Sequence, residues 1–258
     1  MIEPKVLEQA QKIMLEMLIS FDKICTKHHL RYWLDSGTLL GAVRHKGFIP
    51  WDDDIDLAMP IEDYNKFILL APSELPNEIF FQTSLTDTKF KFDYIKLRSN
   101  KASIVEFHEK DKEVGYHQGI FVDIFPMLAV EDTQQMSTFY TNTLEDIRSV
   151  SAVSLHTPMG KDNPIKRKIL VDSLDKHHKG WECQNNKLIY SGKMPDVAAS
   201  FHIKEVFPLS ILSFEGLNFP VPKNPQHYLS EIYSFNFMKL PSKENRIIHA
   251  LEITFKRD

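Results

Sequence analysis

A run of glycine, basic and acidic residues near the start of the chain has the composition of a phosphate and metal site. Gly37 and Gly41 come first, Arg44 and His45 follow, and residues 52–56 contain four carboxylates. Backbone amides at a small-residue turn bind anions, and a guanidinium group can hold a phosphate through two parallel hydrogen bonds. Hard divalent cations bind through one or two carboxylates together with substrate phosphates. This order of residue types therefore predicts phosphate chemistry assisted by a metal ion.

The carboxylates of this run form an acidic cluster made up of Asp52, Asp53, Asp54 and Asp56. Residues 54–59 alternate polar and apolar side chains, which predicts a short strand. Since side chains two positions apart on a strand share a face, Asp54 and Asp56 are expected to project together. Asp52 and Asp53 fall in the preceding turn, where either could be a solvated loop acid.

The turn before the acidic cluster is predicted to bind an anion. Residues 31–35 indicate a strand, and residues 39–43 indicate a short helix that begins just after Gly37 and Thr38. The N-terminus of such a helix presents free amides and the positive end of its dipole. The chain has no Walker A sequence, and an EF-hand loop is excluded because Leu57 stands where that loop requires glycine.

Two other segments carry charged side chains on predicted strands. Residues 120–125 form an apolar run that contains Asp123, and an aspartate is almost never fully buried without a partner. We therefore expect Asp123 to be a ligand; capping by local backbone at the strand end is the alternative. Lys96 and Arg98 alternate with Leu97, so both should face one side, where they could reach a diphosphate or form a solvated sheet surface.

Several blocks of the sequence together resemble one protein family. The block 32–59 resembles the LicD family of phosphotransferases, whose members have a near-identical sequence from the Gly-Thr turn to the Asp-Ile-Asp pair. Residues 119–126 are similar to the family's second motif, 205–220 to its third and 228–249 to its C-terminal block. About residues 130–200 match poorly.

The resemblance implies a nucleotidyltransferase-like fold of the α+β class, a mixed β-sheet flanked by helices. By motif, the catalytic and metal-binding residues are Asp54, Asp56 and Asp123, with Mg²⁺ as the cofactor and Mn²⁺ as the alternative. The expected substrate-binding residues are Gly37, Thr38, Arg44, His45, Lys96, Arg246 and His249. The last two are three positions apart and would be neighbours on a helix.

The resemblance also implies an activity. The family's donors are CDP-activated alcohols, so we expect phosphocholine to pass from CDP-choline to a hydroxyl of a bacterial surface glycan, such as lipopolysaccharide or teichoic acid, with release of CMP. Relatives that use CDP-ribitol keep the same metal motif. A quaternary ammonium group binds to an aromatic cage, for which the chain offers Trp33, Trp51, Tyr94, Trp181 and Tyr190.

Two other functions and one departure from the family pattern stay open. A nucleotidyltransferase that releases pyrophosphate from a nucleoside triphosphate would use the same acids. A catalytically silent relative would keep the fold to bind a glycan. Where the family's C-terminal motif reads Tyr-Gly, this chain has Tyr233-Ser234, which could alter acceptor choice.

The remaining sequence must position these groups. We expect one domain, 1–258, with a core at 1–130, a mostly helical region at 131–200 and the C-terminal motifs at 201–258. Apolar periodicity predicts helices at 4–29, 61–71, 131–155 and 164–176. Strands are predicted at 79–84, 93–98, 103–107 and 118–125.

Composition excludes several classes of protein. A net charge of −4 argues against nucleic-acid binding. Cys25 and Cys183 match no disulfide framework or zinc spacing. The sequence shows neither a membrane-spanning apolar run nor a signal peptide, so we expect a cytoplasmic protein. The basic run 161–179 leaves peripheral contact with the inner face of the membrane open.

Overall fold

The computed structural model of the protein describes residues 2–90, 92, 94–130, 187–190 and 200–256. Its helices are α1 (Pro4–Lys27), α2 (Ser36–His45), α3 (Ile61–Glu74), α4 (Ile203–Val206) and α5 (Pro225–Tyr233). Its strands are β1 (Trp33–Leu34), β2 (Asp56–Pro60), β3 (Ile79–Gln82), β4 (Ile95–Glu106), β5 (Gly119–Val130), β6 (Lys187–Tyr190), β7 (Ser200–His202), β8 (Ser210–Phe214), β9 (Leu217–Val221) and β10 (Ala250–Phe255). Single 3₁₀ turns occur at Phe107–Glu109 and Lys243–Asn245.

Most of these strands belong to one mixed sheet. Its central order is β1-β2-β5-β4-β10, while β3 also pairs with β4, β6 pairs with β5, and β7 pairs with β6. The β2–β5 pair is parallel and the other pairs are antiparallel. Strands β8 and β9 form a separate hairpin. This arrangement confirms the predicted α+β class, with a mixed sheet flanked by helices.

Helices α1 and α3 cover the centre of the sheet. The periodic apolar residues of α1 are all buried: Leu7, Ala10, Met14, Leu18, Phe21 and Ile24. That face packs against β4 and β5, and α3 packs against β2, β5 and α1. The helices predicted at 4–29 and 61–71 therefore form close to their expected bounds, because burial of an amphipathic face supplies most of the stability of such helices. None of the helices in the described ranges has the length and apolarity that a membrane span needs.

The strand predictions need two corrections. The segments 93–98 and 103–107 belong to the single strand β4, which stays in the sheet across the polar residues 99–101 because its two halves have different partners. The first half pairs with β3 and β5, and the second pairs with β10 and, at Ser103, with β5. Strand β5 also runs five residues beyond 125, where β6 pairs with it. The helices predicted at 131–155 and 164–176 lie outside the described residues.

Candidate functional site

Three adjacent strands bring a row of charged side chains together. Asp56 at the start of β2 lies opposite Asp123 on β5, and Asp123 lies opposite Lys96 on β4. The Asp123 amide donates a hydrogen bond of 2.8 Å to the carbonyl oxygen of Ile55, which keeps β2 and β5 in this register. Residues directly opposite one another on paired strands project from the same face. The register therefore places two of the predicted acids and the predicted lysine side by side.

Lys96 and Asp123 form a buried ion pair at the centre of this row. The Lys96 Nζ lies 2.8 Å from Asp123 Oδ2, and the Lys96 and Asp123 side chains are 3% and 8% exposed. The ammonium also lies 3.3 Å from the centroid of the Phe121 ring, in a cation–π contact. Burial raises the pKa of Asp123 to about 6, although Lys96 opposes that rise. The second oxygen, Oδ1, is buried and has no hydrogen-bond partner among the residues that the structure describes.

Asp52, Asp54 and Asp56 repel one another. Since β2 begins at Asp56, Asp54 precedes the strand and does not lie within it, as the prediction of a strand at 54–59 had implied. Burial, followed by the charges of Asp53 and Asp123, raises the pKa of Asp54 to about 7. Burial and the charges of Asp54 and Asp123 raise the pKa of Asp56 well above its ordinary value. The pKa of Asp52 is raised in the same way, by burial and then by Asp54 and Asp53. All three residues remain partly accessible to solvent.

These donors fit a hard divalent cation. They are carboxylate oxygens, and burial and neighbouring negative charges raise the pKa of Asp56. In the described part of the chain, Asp123 Oδ1 has no hydrogen-bond partner. The predicted ligands Asp54, Asp56 and Asp123 are electrostatic neighbours. In the described ranges, however, the ligand sets within 4.8 Å of one another are Asp53, Asp54 and His249, and Glu106, His108 and Glu109. An ion shared by the predicted three would require at least one carboxylate to turn.

Asp53, which lies in the segment before β2, forms hydrogen bonds to the C-terminal part of the chain. Its side chain is 2% exposed, so it is not the solvated loop acid that the sequence left open. One oxygen accepts a very short hydrogen bond from the amide of Ala250, and the other lies 3.3 Å from His249 Nδ1. Hydrogen bonding to Asp53 is the main reason that the pKa of His249 rises to about 9. The imidazole also lies 3.8 Å from Asp54 Oδ2, so His249 belongs to the site.

Arg246 and His249 do not lie on a helix. The chain leaves the 3₁₀ turn Lys243–Asn245 at Arg246 with φ −82° and ψ 116°, and residues 246–249 run irregularly into β10. The helical prediction was wrong because pairing of β10 with β4 and the Asp53 contacts determine the backbone here. Arg246 lies over the ring of Trp51, 4.1 Å from its centroid. Both residues thus still contact the segment that carries the acidic cluster.

Gly37 and Thr38, predicted to form a turn before the helix, lie in the first turn of α2, which begins at Ser36. Thr38 Oγ1 accepts a 2.9 Å hydrogen bond from the amide of Asp56, which leaves its own hydroxyl proton free to donate. A Cβ atom added to Gly37 would stand 3.0 Å from Asp52 Oδ2, so glycine allows the helix start to approach the acids closely. The amide end of α2, a natural anion site, therefore lies beside the carboxylates.

The remaining predicted cations have partners inside the protein. Arg44 donates from Nη1 to the carbonyl oxygen of Phe237 at 2.8 Å and from Nε to His45 Nε2 at 3.0 Å. Arg44 is also one of the positive charges that oppose the raised pKa of Asp52, so it lies beside the acidic cluster. Arg98, in contrast, donates to Gln82 and to the carbonyl of Gly119 and holds strands together.

Sequence reasoning did not assign roles to two residues that contact or face the cluster. Asp35 is fully buried at the N-terminus of α2, receives a 2.8 Å hydrogen bond from the hydroxyl of Tyr190, and has its pKa raised by burial. Partial burial, followed by the charges of Asp56 and Asp52, raises the pKa of Tyr233, the last residue of α5. Asp35 is the last residue of the strand predicted at 31–35, and a charged residue at that position was a usable signal. Nothing local indicates its pairing with Tyr190.

A Gly-Thr turn, an Asp-x-Asp strand and a third acid on the parallel neighbouring strand are the marks of a nucleotidyltransferase-like domain. The family described as LicD/FKTN/FKRP, nucleotidyltransferase domain, matches residues 29–157, which is half of the chain. The protein therefore belongs to the LicD family, as its motifs predict.

Individual relatives share different amounts of the chain. Lipopolysaccharide cholinephosphotransferase LicD of Haemophilus influenzae is 26% identical over 264 residues, which cover 95% of this chain and 96% of the relative. Human ribitol 5-phosphate transferase FKRP is 59% identical over 74 residues, 29% of this chain and 15% of FKRP. Mouse ribitol-5-phosphate transferase FKTN is 32% identical over 79 residues, 31% of this chain and 17% of FKTN. The similarity to FKRP and FKTN is therefore confined to a short block.

Proposed function

We propose that this protein is a metal-dependent phosphotransferase that moves a phospho-alcohol from a CDP-activated donor to a hydroxyl of a cell-surface glycan and releases CMP. The observation that carries the proposal is the strand register that sets Asp56, Asp123 and Lys96 side by side, next to the amide end of α2. A diphosphate needs positive groups and amides, and an attacking hydroxyl needs a base.

The acids would hold Mg²⁺ or Mn²⁺. Asp54, Asp56 and Asp123 are the residues that would bind it, and the ion would neutralise charge that develops on the donor phosphates. The amides at Gly37 and Thr38, the Thr38 hydroxyl and the cationic His249 would bind phosphate oxygens. Arg44, held by the carbonyl of Phe237, would add long-range positive charge at the same end of α2.

Asp123 is the proposed proton acceptor. A carboxylate with a pKa of about 6 is ionised at neutral pH and is a stronger base than an ordinary aspartate. Lys96 holds Oδ2, so among the described residues Oδ1 is the oxygen without a partner and would take the proton, while Asp54 and Asp56 would hold the metal ion at that stage. The acceptor oxygen forms a bond to the phosphorus of the phospho-alcohol, the bond from that phosphorus to the bridging oxygen breaks, and CMP departs with the bridging oxygen.

Phosphocholine is the first donor to test, because the relative that spans nearly the whole chain is a cholinephosphotransferase. Ribitol phosphate is the second, because the ribitol 5-phosphate transferase FKRP is 59% identical over 74 residues. The aromatic residues considered for a choline cage differ in their accessibility. Trp33 and Tyr190 are buried in the core, and Trp181 lies outside the described residues. Trp51 is partly accessible and already binds a cation, Arg246, on its face.

The test is nucleotide release with defined donors. CDP-choline, CDP-ribitol and CDP-glycerol would each be incubated with glycan extract and Mg²⁺ or Mn²⁺, using the wild type, Asp56→Asn and the exposed-surface control Glu8→Gln. We expect CMP from one donor, dependent on the metal, abolished in Asp56→Asn and unchanged in Glu8→Gln. CTP with phosphocholine would be tested in parallel. Pyrophosphate release there would replace the proposal with a nucleotidyltransferase, and silence with every donor would favour a glycan-binding relative.

A further inference from the structure

An exposed apolar surface lies in the C-terminal block, in residues 233–247, which we call the apolar loop. Among the described residues nine large apolar side chains are exposed, and five of them fall in this loop: Tyr233, Phe235, Met238, Leu240 and Ile247. Phe235 is 91% exposed, although a phenylalanine gains more than most residues from burial. A concentration of exposed apolar side chains in one short segment is typical of a site of interaction with a protein or a membrane.

The exposed apolar residues belong to a loop that is otherwise packed and hydrogen-bonded. Phe237 packs against the core, and so does Ile248, the residue that directly follows the loop. Arg44 Nη1 binds the carbonyl oxygen of Phe237 at 2.8 Å, and the Lys239 amide binds the carbonyl of Asn236 at 2.8 Å. With the inward anchors already in place, Phe235 and Met238 are held outside the fold.

The charge of the loop favours an anionic partner. It contains Lys239, Lys243 and Arg246 against the single acid Glu244, while the whole chain has a net charge of −4. Both lysines are exposed. Apolar side chains interleaved with lysines bind the interface of a bilayer that contains anionic lipid, because the apolar groups enter the acyl boundary and the cations face the headgroups.

We propose that the apolar loop docks the protein on an anionic membrane surface, with Phe235 and Met238 as the inserted residues. The loop borders the candidate site, because the guanidinium group of Arg246 lies over the ring of Trp51, which directly precedes Asp52. Docking in this way would bring the site to a hydroxyl carried on a lipid-linked glycan. The docking itself depends on the loop and not on the proposed phosphotransfer.

Vesicle co-sedimentation of the full chain tests this docking. The probes are vesicles of phosphatidylcholine alone and of phosphatidylcholine mixed with phosphatidylglycerol. The variants are Phe235→Ser combined with Met238→Ser, and Lys239→Glu combined with Lys243→Glu. Ile211→Ser is the matched control, because Ile211 is 58% exposed on the β8–β9 hairpin. Thermal unfolding of each variant would establish that these exposed changes leave the fold intact.

We expect the wild type and Ile211→Ser to sediment with the anionic vesicles, and both loop variants to bind at least about tenfold more weakly. Absence of wild-type binding would overturn the proposal, and so would equal binding to neutral vesicles or binding that the loop variants keep. A wild-type dimer that Phe235→Ser with Met238→Ser converts to a monomer, without vesicle binding, would assign the loop to contact between copies of the chain instead. Since no donor is present, none of these results bears on CMP release.

Discussion

The Nζ atom of Lys96 lies 2.8 Å from Oδ2 of Asp123, and both side chains are buried. The two residues stand opposite each other on β4 and β5, so the strand register alone brings them into contact. A buried ion pair of this kind contributes little more to the stability of the fold than an apolar pair would. Loss of one partner, however, leaves an uncompensated buried charge, which is destabilising. Lys96 therefore serves two roles in our interpretation: it keeps Asp123 ionised and it leaves Oδ1 available to the reaction.

Replacement of Lys96 by methionine should destabilise the protein. The change leaves the Asp123 carboxylate buried without its partner, which costs about 3–5 kcal/mol in comparable cases. The pKa of Asp123 should rise further, so activity should decline at neutral pH. Urea unfolding measures the first effect and the pH profile of CMP release the second.

The double variant Lys96→Met with Asp123→Asn is the control for this prediction. It removes both charges and should regain much of the lost free energy of unfolding while staying inactive. A single variant within about 1 kcal/mol of the wild type would contradict the role of the pair.

The stability of the metal-free protein should fall as pH rises. Asp54 has a pKa of about 7 in the folded state, against an ordinary value of 3.8. Because the folded pKa is raised, the stability that this group contributes is fully present below about pH 4 and is lost as pH rises through 7. Three pH units correspond to at most about 4 kcal/mol for one group. In EDTA, Asp54→Asn should show a smaller fall between pH 4 and 7.5 than the wild type.

Divalent cation should reverse this loss. Mg²⁺ added at pH 7.5 should raise the midpoint of thermal unfolding of the wild type more than that of Asp54→Asn. Identical pH slopes for the two proteins in EDTA would show that Asp54 ionises freely in the folded state.

Asp53→Ala should loosen the attachment of β10 to the acidic turn. The Ala250 amide would lose its acceptor, and a buried donor left unpaired costs about 1–3 kcal/mol. His249 would lose its main stabilising contact, so its pKa should drop from about 9 towards the ordinary value. Chemical denaturation measures the first effect and an NMR titration of the imidazole the second. A His249 titration that is unchanged in the variant would refute the contact.

Ser234→Gly should stabilise the protein. Ser234 follows the last residue of α5 and has φ 70° and ψ 172°, a backbone conformation that residues other than glycine rarely adopt. Glycine should relieve about 1 kcal/mol of strain and raise the melting temperature. Ser242→Gly is the matched control, because Ser242 has an ordinary φ of −60° and glycine there should be neutral or destabilising. Equal shifts for the two variants would mean that Ser234 is unstrained.

Several features of this protein could be predicted from local sequence. The periodic apolar residues of α1 and α3 predicted both helices, since an amphipathic face determines what the fold will bury. The Gly-Thr turn, the Asp-Ile-Asp alternation and a lone aspartate in an apolar run predicted the parts of the site. Each of these signals is contained within about ten residues of chain.

The sequence by itself determined the residue types of the site and the fold class. Only the tertiary structure decided which groups meet: Lys96 with Asp123, and Asp53 with Ala250 and with His249, 196 residues away. It also showed that β4 is one strand and that Arg246 lies outside any helix. The physical reason is that strand register and the closure of β10 on β4 depend on pairing between distant segments. Local periodicity carries no information about such pairing.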